Sequence, residues 1–316
     1  MENLVFSLKA TMPVFLLMVV GYVLRITKIM DESFADKLNG FVFKIALPVL
    51  LFEDLATVDF QTAWNGRFVL FCFAATLLSV AVAALVSLLL KKREERGEFI
   101  QAAYRSSAGI LGLAFIQNIY GTAGMAPMMI IGSVPLYNIF AVIVLSVFAP
   151  GERKGSADGR LMKKTVVGIL KNPILIGVIL GLVWSALRIP MPSILGSVVS
   201  KVGATATPLG LIAMGACFDP KKAGESGKAA VLASFIKLIG FGIVFLPAAA
   251  SMGFRNQELV AILVMLCSAT TVSCYVMARN MGHRGTLTAS AVMLTTFFAA
   301  FTLTGWIFVL RTLGFI

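Results

Sequence analysis

Apolar residues gather into ten long runs, at roughly 5–25, 38–57, 68–90, 99–120, 125–148, 166–187, 193–218, 228–250, 258–280 and 286–310. Each approaches the roughly 20 residues an α-helix needs to cross about 30 Å of hydrocarbon. Short loops between the runs hold most of the charge. The pattern predicts an all-α integral membrane fold of ten transmembrane helices. The first run continues into Arg25 and Lys28 with no small-x-small cleavage site, so it reads as a span and not as a cleavable signal.

The runs also repeat. At an ungapped offset of 160 residues, Pro13 meets Pro173, Gly21 meets Gly181, Pro48 meets Pro208, Asp59 meets Asp219 and Glu98 meets Glu258. Gly121 and Gly124 continue the match onto Gly282 and Gly285 with one residue of slippage. Duplicated apolar units joined by a basic loop are the mark of secondary transporters built from structural repeats. The expected organisation is a five-helix repeat over 1–150, a cytoplasmic linker over 151–165 and a second five-helix repeat over 166–316. An odd number of spans per copy inserts the second copy upside down, which makes the repeats inverted.

Composition sharpens this. Hydrophobic residues make up 59% of the chain, charged residues 13%, and mean hydropathy is +0.92. A soluble domain carries about 25% charge, so this chain cannot cover a water-facing surface. The 27 Lys and Arg outnumber the 15 Asp and Glu. They do not point to nucleic acid, because they sit in short loops between spans. Seventeen fall in alternate loops, among them Arg25, Lys91, Arg93, Arg153, Lys163, Lys221 and Arg284, against Arg67, Arg188, Arg255 and Arg311 on the other side. The positive-inside rule then predicts a multi-pass protein of the cell (plasma or inner) membrane with both termini outside.

The fourth and ninth runs have small, polar centres at matched positions: Ala108 to Gly112 falls onto Ser268 to Val272. Interruptions at corresponding places in two repeats point to a midplane binding site, since non-helical backbone at that depth survives only against protein or a wet cavity. Half-helix N-termini exposed there carry partial positive charge and free N–H groups, which suit a carboxylate. The candidate substrate-binding residues are Ser107, Gly109, Gly112 and Asn138 from the first repeat and Ser268, Thr270, Thr271 and Ser273 from the second. Arg105 and Lys44 are candidates for attracting an anion, with snorkelling to the surface as the alternative for each. Pro48 and Pro208 are expected at equivalent bends. The competing reading is helix packing, because small residues and hydroxyls also let membrane helices approach closely.

Other polar positions add less. Glu53 and Asp54 read as wet residues at an entrance, and Lys237 has no charged repeat mate, since Leu77 stands opposite. With no acid expected at mid-membrane and His283 in a loop, coupling to protons or sodium stays open, as does a homodimer. Cys72, Cys217, Cys267 and Cys274 read as small apolar fillers. No cofactor and no metal site are expected.

The segments Leu38 to Phe52, Leu170 to Pro173 and Ala206 to Gly215, with Tyr104 and Arg105 opening the fourth run, resemble the auxin efflux carrier (AEC) family, of the bile acid/arsenite/auxin carrier superfamily, over essentially the whole chain. The resemblance implies a scaffold of helices 1, 2, 6 and 7 and a transport domain of helices 3–5 and 8–10 with crossover helices 4 and 9. It also implies permeases for small organic acids such as malonate or malate, or auxin-like substrates. Ser107 and Ala114 stand where family members often carry Asn and Pro, so the break rests here on Gly and hydroxyl residues. Three function classes follow: a secondary active or facilitative carrier of organic anions by alternating access, a sodium-coupled bile-acid-type symporter, and an integral-membrane enzyme. The last lacks HExxH, GxSxG or clustered carboxylates in the spans.

Overall fold

The computed structural model describes residue 13 and residues 16–57, 65–108, 112–121, 124–150, 171–218 and 227–316. Gly109, Asp59, Asp219 and the expected linker 151–165 lie outside the described residues. The described residues are helical throughout, apart from turns and one isolated backbone bridge. In chain order the helices are α1 (Leu16–Ile26), α2 (Glu32–Phe41), α3 (Leu47–Ala56), α4 (Gly66–Ser87), α5 (Arg93–Tyr104), α6 (Leu113–Tyr120), α7 (Ala126–Val147) and α8 (Pro173–Ala186). They continue with α9 (Ser193–Ala204), α10 (Ala206–Ala216), α11 (Gly227–Phe235), α12 (Phe241–Ser251), α13 (Asn256–Cys267), α14 (Ser273–Asn280) and α15 (Thr286–Thr312).

Five stretches are long and apolar enough to cross a membrane: Gly66–Ser87, Ala126–Val147, Ser193–Ala216, Gly227–Ser251 and Thr286–Thr312. Large apolar side chains such as Leu70, Leu89, Ile194 and Phe308 lie exposed on the outer faces of the bundle. A water-soluble protein would bury such residues; a bilayer solvates them.

Side chains and prolines set the helix starts. Asp31 and Asn65 accept from the amides of Phe34 (2.7 Å) and Phe68 (3.0 Å). Asn172 accepts from Ile174 N at 3.0 Å just before Pro173, whose missing N–H costs nothing at a first helical position. The fully buried Glu98 of α5 caps another helix. Its carboxylate accepts from Gly285 N (2.9 Å), Thr288 N (3.1 Å) and Thr288 Oγ1 (3.1 Å) at the start of α15, where negative charge offsets the helix dipole.

Three local distortions interrupt regular helix. A π-helical turn, Val42–Ala46, joins α2 to α3 just before Pro48, and Thr205 separates α9 from α10 just before Pro208. A second π turn, Ile236–Gly240, joins α11 to α12, and Trp306 Nε1 donates to its Leu238 carbonyl at 3.0 Å. A side chain is thereby supplied to a carbonyl that the wider turn sets apart.

Glycines let four helices meet backbone to backbone. A Cβ on Gly21 of α1 would lie 2.1 Å from the Ile212 carbonyl oxygen of α10, and one on Gly181 of α8 would lie 2.8 Å from that of Phe52 of α3. Both the glycines and their partners are related by the same 160-residue offset.

Candidate functional site

Two helices break side by side. α5 ends at Tyr104 and α6 resumes at Leu113; α13 ends at Cys267 and α14 resumes at Ser273. Arg105 and Ser268 both leave the helical region, with ψ of 128° and 169°. Extended backbone this deep has to satisfy its own polar groups. It does so by pairing: Ser106 and Thr270 form an antiparallel bridge, and Ser107 N donates to Ala269 O at 2.9 Å. Thr270 N donates to Thr295 Oγ1 of α15 at 3.0 Å, Thr270 Oγ1 donates to Ala102 O at 2.8 Å, and Gln101 Nε2 donates to Cys274 O at 2.9 Å. Gly112 N closes the first break onto Ser107 O at 3.1 Å.

Beside the bridge lies a small cavity of about 70 Å³. Its polar lining comes from Arg105, Ser107, Asn138, Thr271 and Ser273, with Ser106, Tyr137, Thr207 and Asp54 alongside; the apolar lining comes largely from Leu47, Leu50, Leu51 and Val134. The elements facing it are therefore the two breaks, α3, α7 and the start of α10.

Arg105 is 2% exposed and organises the cavity. One terminal nitrogen donates to Asn138 Oδ1 (2.9 Å) and to Ser273 Oγ (2.8 Å); the other lies 3.5 Å from Gln101 Oε1 and 2.9 Å from Met277 Sδ. Its Nε finds no partner among the described residues. Asn138 is fixed in turn, since its Nδ2 donates to Val134 O at 2.9 Å, leaving Oδ1 to face the guanidinium. Behind this, Lys237 is fully buried and donates to Tyr104 O at 3.1 Å and to the Ser106 hydroxyl. Among the described residues neither cation has a carboxylate within ion-pair distance. Removing a charge from water without an opposite charge costs several kcal/mol, only partly offset by neutral acceptors.

Of the residues singled out from sequence, Ser107, Asn138, Thr271, Ser273 and Arg105 meet at the cavity. Thr270 turns its hydroxyl into the protein, Ser268 is buried off the cavity with its hydroxyl unpartnered, and Gly112 packs against Val264. Lys44 is exposed: it lies in the π turn, which shifts side chains off the regular helical register. Pro48 and Pro208 follow the helix distortions next to the cavity. At the second half-helix the amides of Cys274, Tyr275 and Val276 donate to the Thr271 and Val272 carbonyls, and the Arg105 guanidinium adds positive charge at the cavity. Asp54, read from sequence as an entrance residue, stands on the cavity wall, and Lys237 holds the first break. Asp54 sits near the end of a run and Lys237 lacks a repeat mate, so neither carried a signal beyond being charged in an apolar run.

The family of membrane transport proteins matches residues 6–307. The chain belongs to that family, the auxin efflux carriers. An uncharacterized transporter of Methanothermobacter thermautotrophicus is similar to it, 22% identical over 309 residues that cover 96% of this chain and 98% of that protein. The chain is therefore a membrane transporter, with its broken helices and buried guanidinium inside the matched region.

Proposed function

We propose that the chain is a secondary active or facilitative carrier of small organic anions, carboxylates such as malonate or malate, working by alternating access. In this reading the helices form two inverted five-helix repeats. α5–α6 and α13–α14 are the broken fourth and ninth helices, crossing beside the cavity, and helices 3–5 and 8–10 move against a scaffold of helices 1, 2, 6 and 7. The substrate carboxylate lies against Arg105, Ser107, Asn138, Thr271 and Ser273.

The observation that carries this reading is the buried Arg105, held at the cavity by Asn138 and Ser273 with no carboxylate within ion-pair distance among the described residues. An ionised group inside a membrane protein marks a substrate path, and the missing counter-charge is what an anion brings. Repeat-related glycine contacts, Gly21 on Ile212 and Gly181 on Phe52, support the duplicated architecture. The asymmetry of the basic loops supports a cell-membrane protein with both termini outside. The test is uptake and counterflow in proteoliposomes against a panel of mono- and dicarboxylates, with proton and sodium gradients imposed separately. Saturable counterflow of a carboxylate is the expected result; the sodium arm separates a bile-acid-type symporter, and absence of any carboxylate flux overturns the reading.

A further inference from the structure

Lys237 lies on the π turn Ile236–Gly240 with no exposed surface. Its ammonium donates to Tyr104 O at 3.1 Å and to the Ser106 hydroxyl, and that hydroxyl donates to Met265 O. Tyr104 is the last residue of α5, and Met265 lies in the last turn of α13. Both carbonyls therefore stand at helix C-termini, the negative ends of two dipoles that converge where the helices break. In transporters built from discontinuous helices, freed carbonyls and C-terminal helix ends are where a coupling cation is held. Here that ground is taken by a side chain. Arg105, the nearest other buried cation, is directed elsewhere, to Asn138 and Ser273.

We propose that the Lys237 ammonium is a tethered cation filling the cation position between the two breaks, so that the crossing is held together without a bound metal ion and anion transport is independent of sodium. This rests on the carrier reading for its transport consequence, but not for its binding consequence. A bound ion leaves and returns during a cycle; an ammonium on a side chain stays. The breaks then keep their positive counterpart in every state.

The experiment compares melting temperatures of purified protein in detergent at equal ionic strength in sodium, methylammonium or choline chloride, for the wild type, Lys237→Ala and Lys237→Met. The wild type is expected to melt alike in all three salts. Lys237→Ala, which opens the ammonium's place, is expected to melt lower in choline and to regain at least half of the loss in sodium or methylammonium. Lys237→Met fills the place without charge and is expected to melt lower in every salt. The proposal is overturned if the wild type is stabilised by sodium over choline, if Lys237→Ala shows no small-cation recovery, or if Lys237→Met matches the wild type. Should Lys237→Ala fail to fold, the wild-type and Lys237→Met arms still decide. None of these arms uses a substrate, so a failed carrier reading leaves them standing. Wild-type carboxylate uptake equal in sodium and choline is the remaining expected result, and uptake that requires sodium overturns the proposal.

Discussion

Arg105 donates to the Ser273 hydroxyl across 2.8 Å, joining the residue just past the end of one broken helix to the residue that starts the other. The same nitrogen reaches Asn138 on α7, so one guanidinium ties three elements around the cavity. An anion arriving there meets a charge already oriented, and little ordering remains to be done on binding.

Replacing that charge is the most direct check. Arg105→Gln is expected to raise the apparent KM for the transported carboxylate roughly 10- to 100-fold, the loss of a charge-assisted hydrogen bond of about 1.5–3 kcal/mol. The order in which anions compete should not change, because the guanidinium supplies attraction more than shape. Counterflow at varied substrate concentration measures both.

Thr270 and Thr271 are neighbours with different expected phenotypes. Thr270→Val removes a hydroxyl that donates to Ala102 O within the protein. It should lower stability by about 0.5–1.5 kcal/mol and leave apparent affinity alone. Thr271 lines the cavity and its hydroxyl lies 3.2 Å from that of Ser273. Thr271→Val should raise KM with little change in melting temperature. Paired melting and counterflow measurements separate the two, and equal effects on KM would count against the cavity as the site.

Asp54 shares the cavity with Arg105 but makes no hydrogen bond or ion pair among the described residues. Its carboxylate repels an anionic substrate, so Asp54→Asn is expected to lower KM near neutral pH by roughly 3- to 10-fold, about 0.7–1.4 kcal/mol of relieved repulsion. Protonation does the same to the wild type: as pH falls the carboxyl loses its charge and apparent affinity rises. Asp54→Asn should flatten that dependence, which uptake at a series of pH values tests directly.

Bulk at the glycine contacts should act on stability. Gly181→Val puts a side chain into the carbonyl of Phe52, and overpacking of this kind costs typically about 1–3 kcal/mol. Gly21→Val does the same at Ile212. Both variants are expected to melt several degrees lower, and an unchanged melting temperature for either would show that the helices part without cost.

The sequence exposed most of this site because polar groups are scarce in an apolar chain. Arg105, Ser107, Asn138, Thr271 and Ser273 stand out inside their runs on cost alone. Which of Thr270 and Thr271 faces the cavity was not legible: in unwound backbone no helical period assigns a face, and the answer depends on the bridge to Ser106. Lys44 is exposed, as its snorkelling alternative has it, and the π turn that carries it is announced by no residue pattern. Lys237 has no charged repeat mate to single it out, and the partner its ammonium meets is the carbonyl of Tyr104, which leaves no mark in a sequence.

The contacts of Gly21 with Ile212 and of Gly181 with Phe52 also bear on the order of synthesis. α1 is made first, but the carbonyl face that its glycine fits belongs to α10, which leaves the ribosome nearly two hundred residues later. α3 likewise waits for α8. α1 enters the bilayer with its Gly21 face bare, and α3 with the Phe52 carbonyl face that Gly181 later meets; only the later chain covers them. Final packing of this protein is therefore post-insertional for its first helices, and a chain stopped before α10 leaves α1 without its partner.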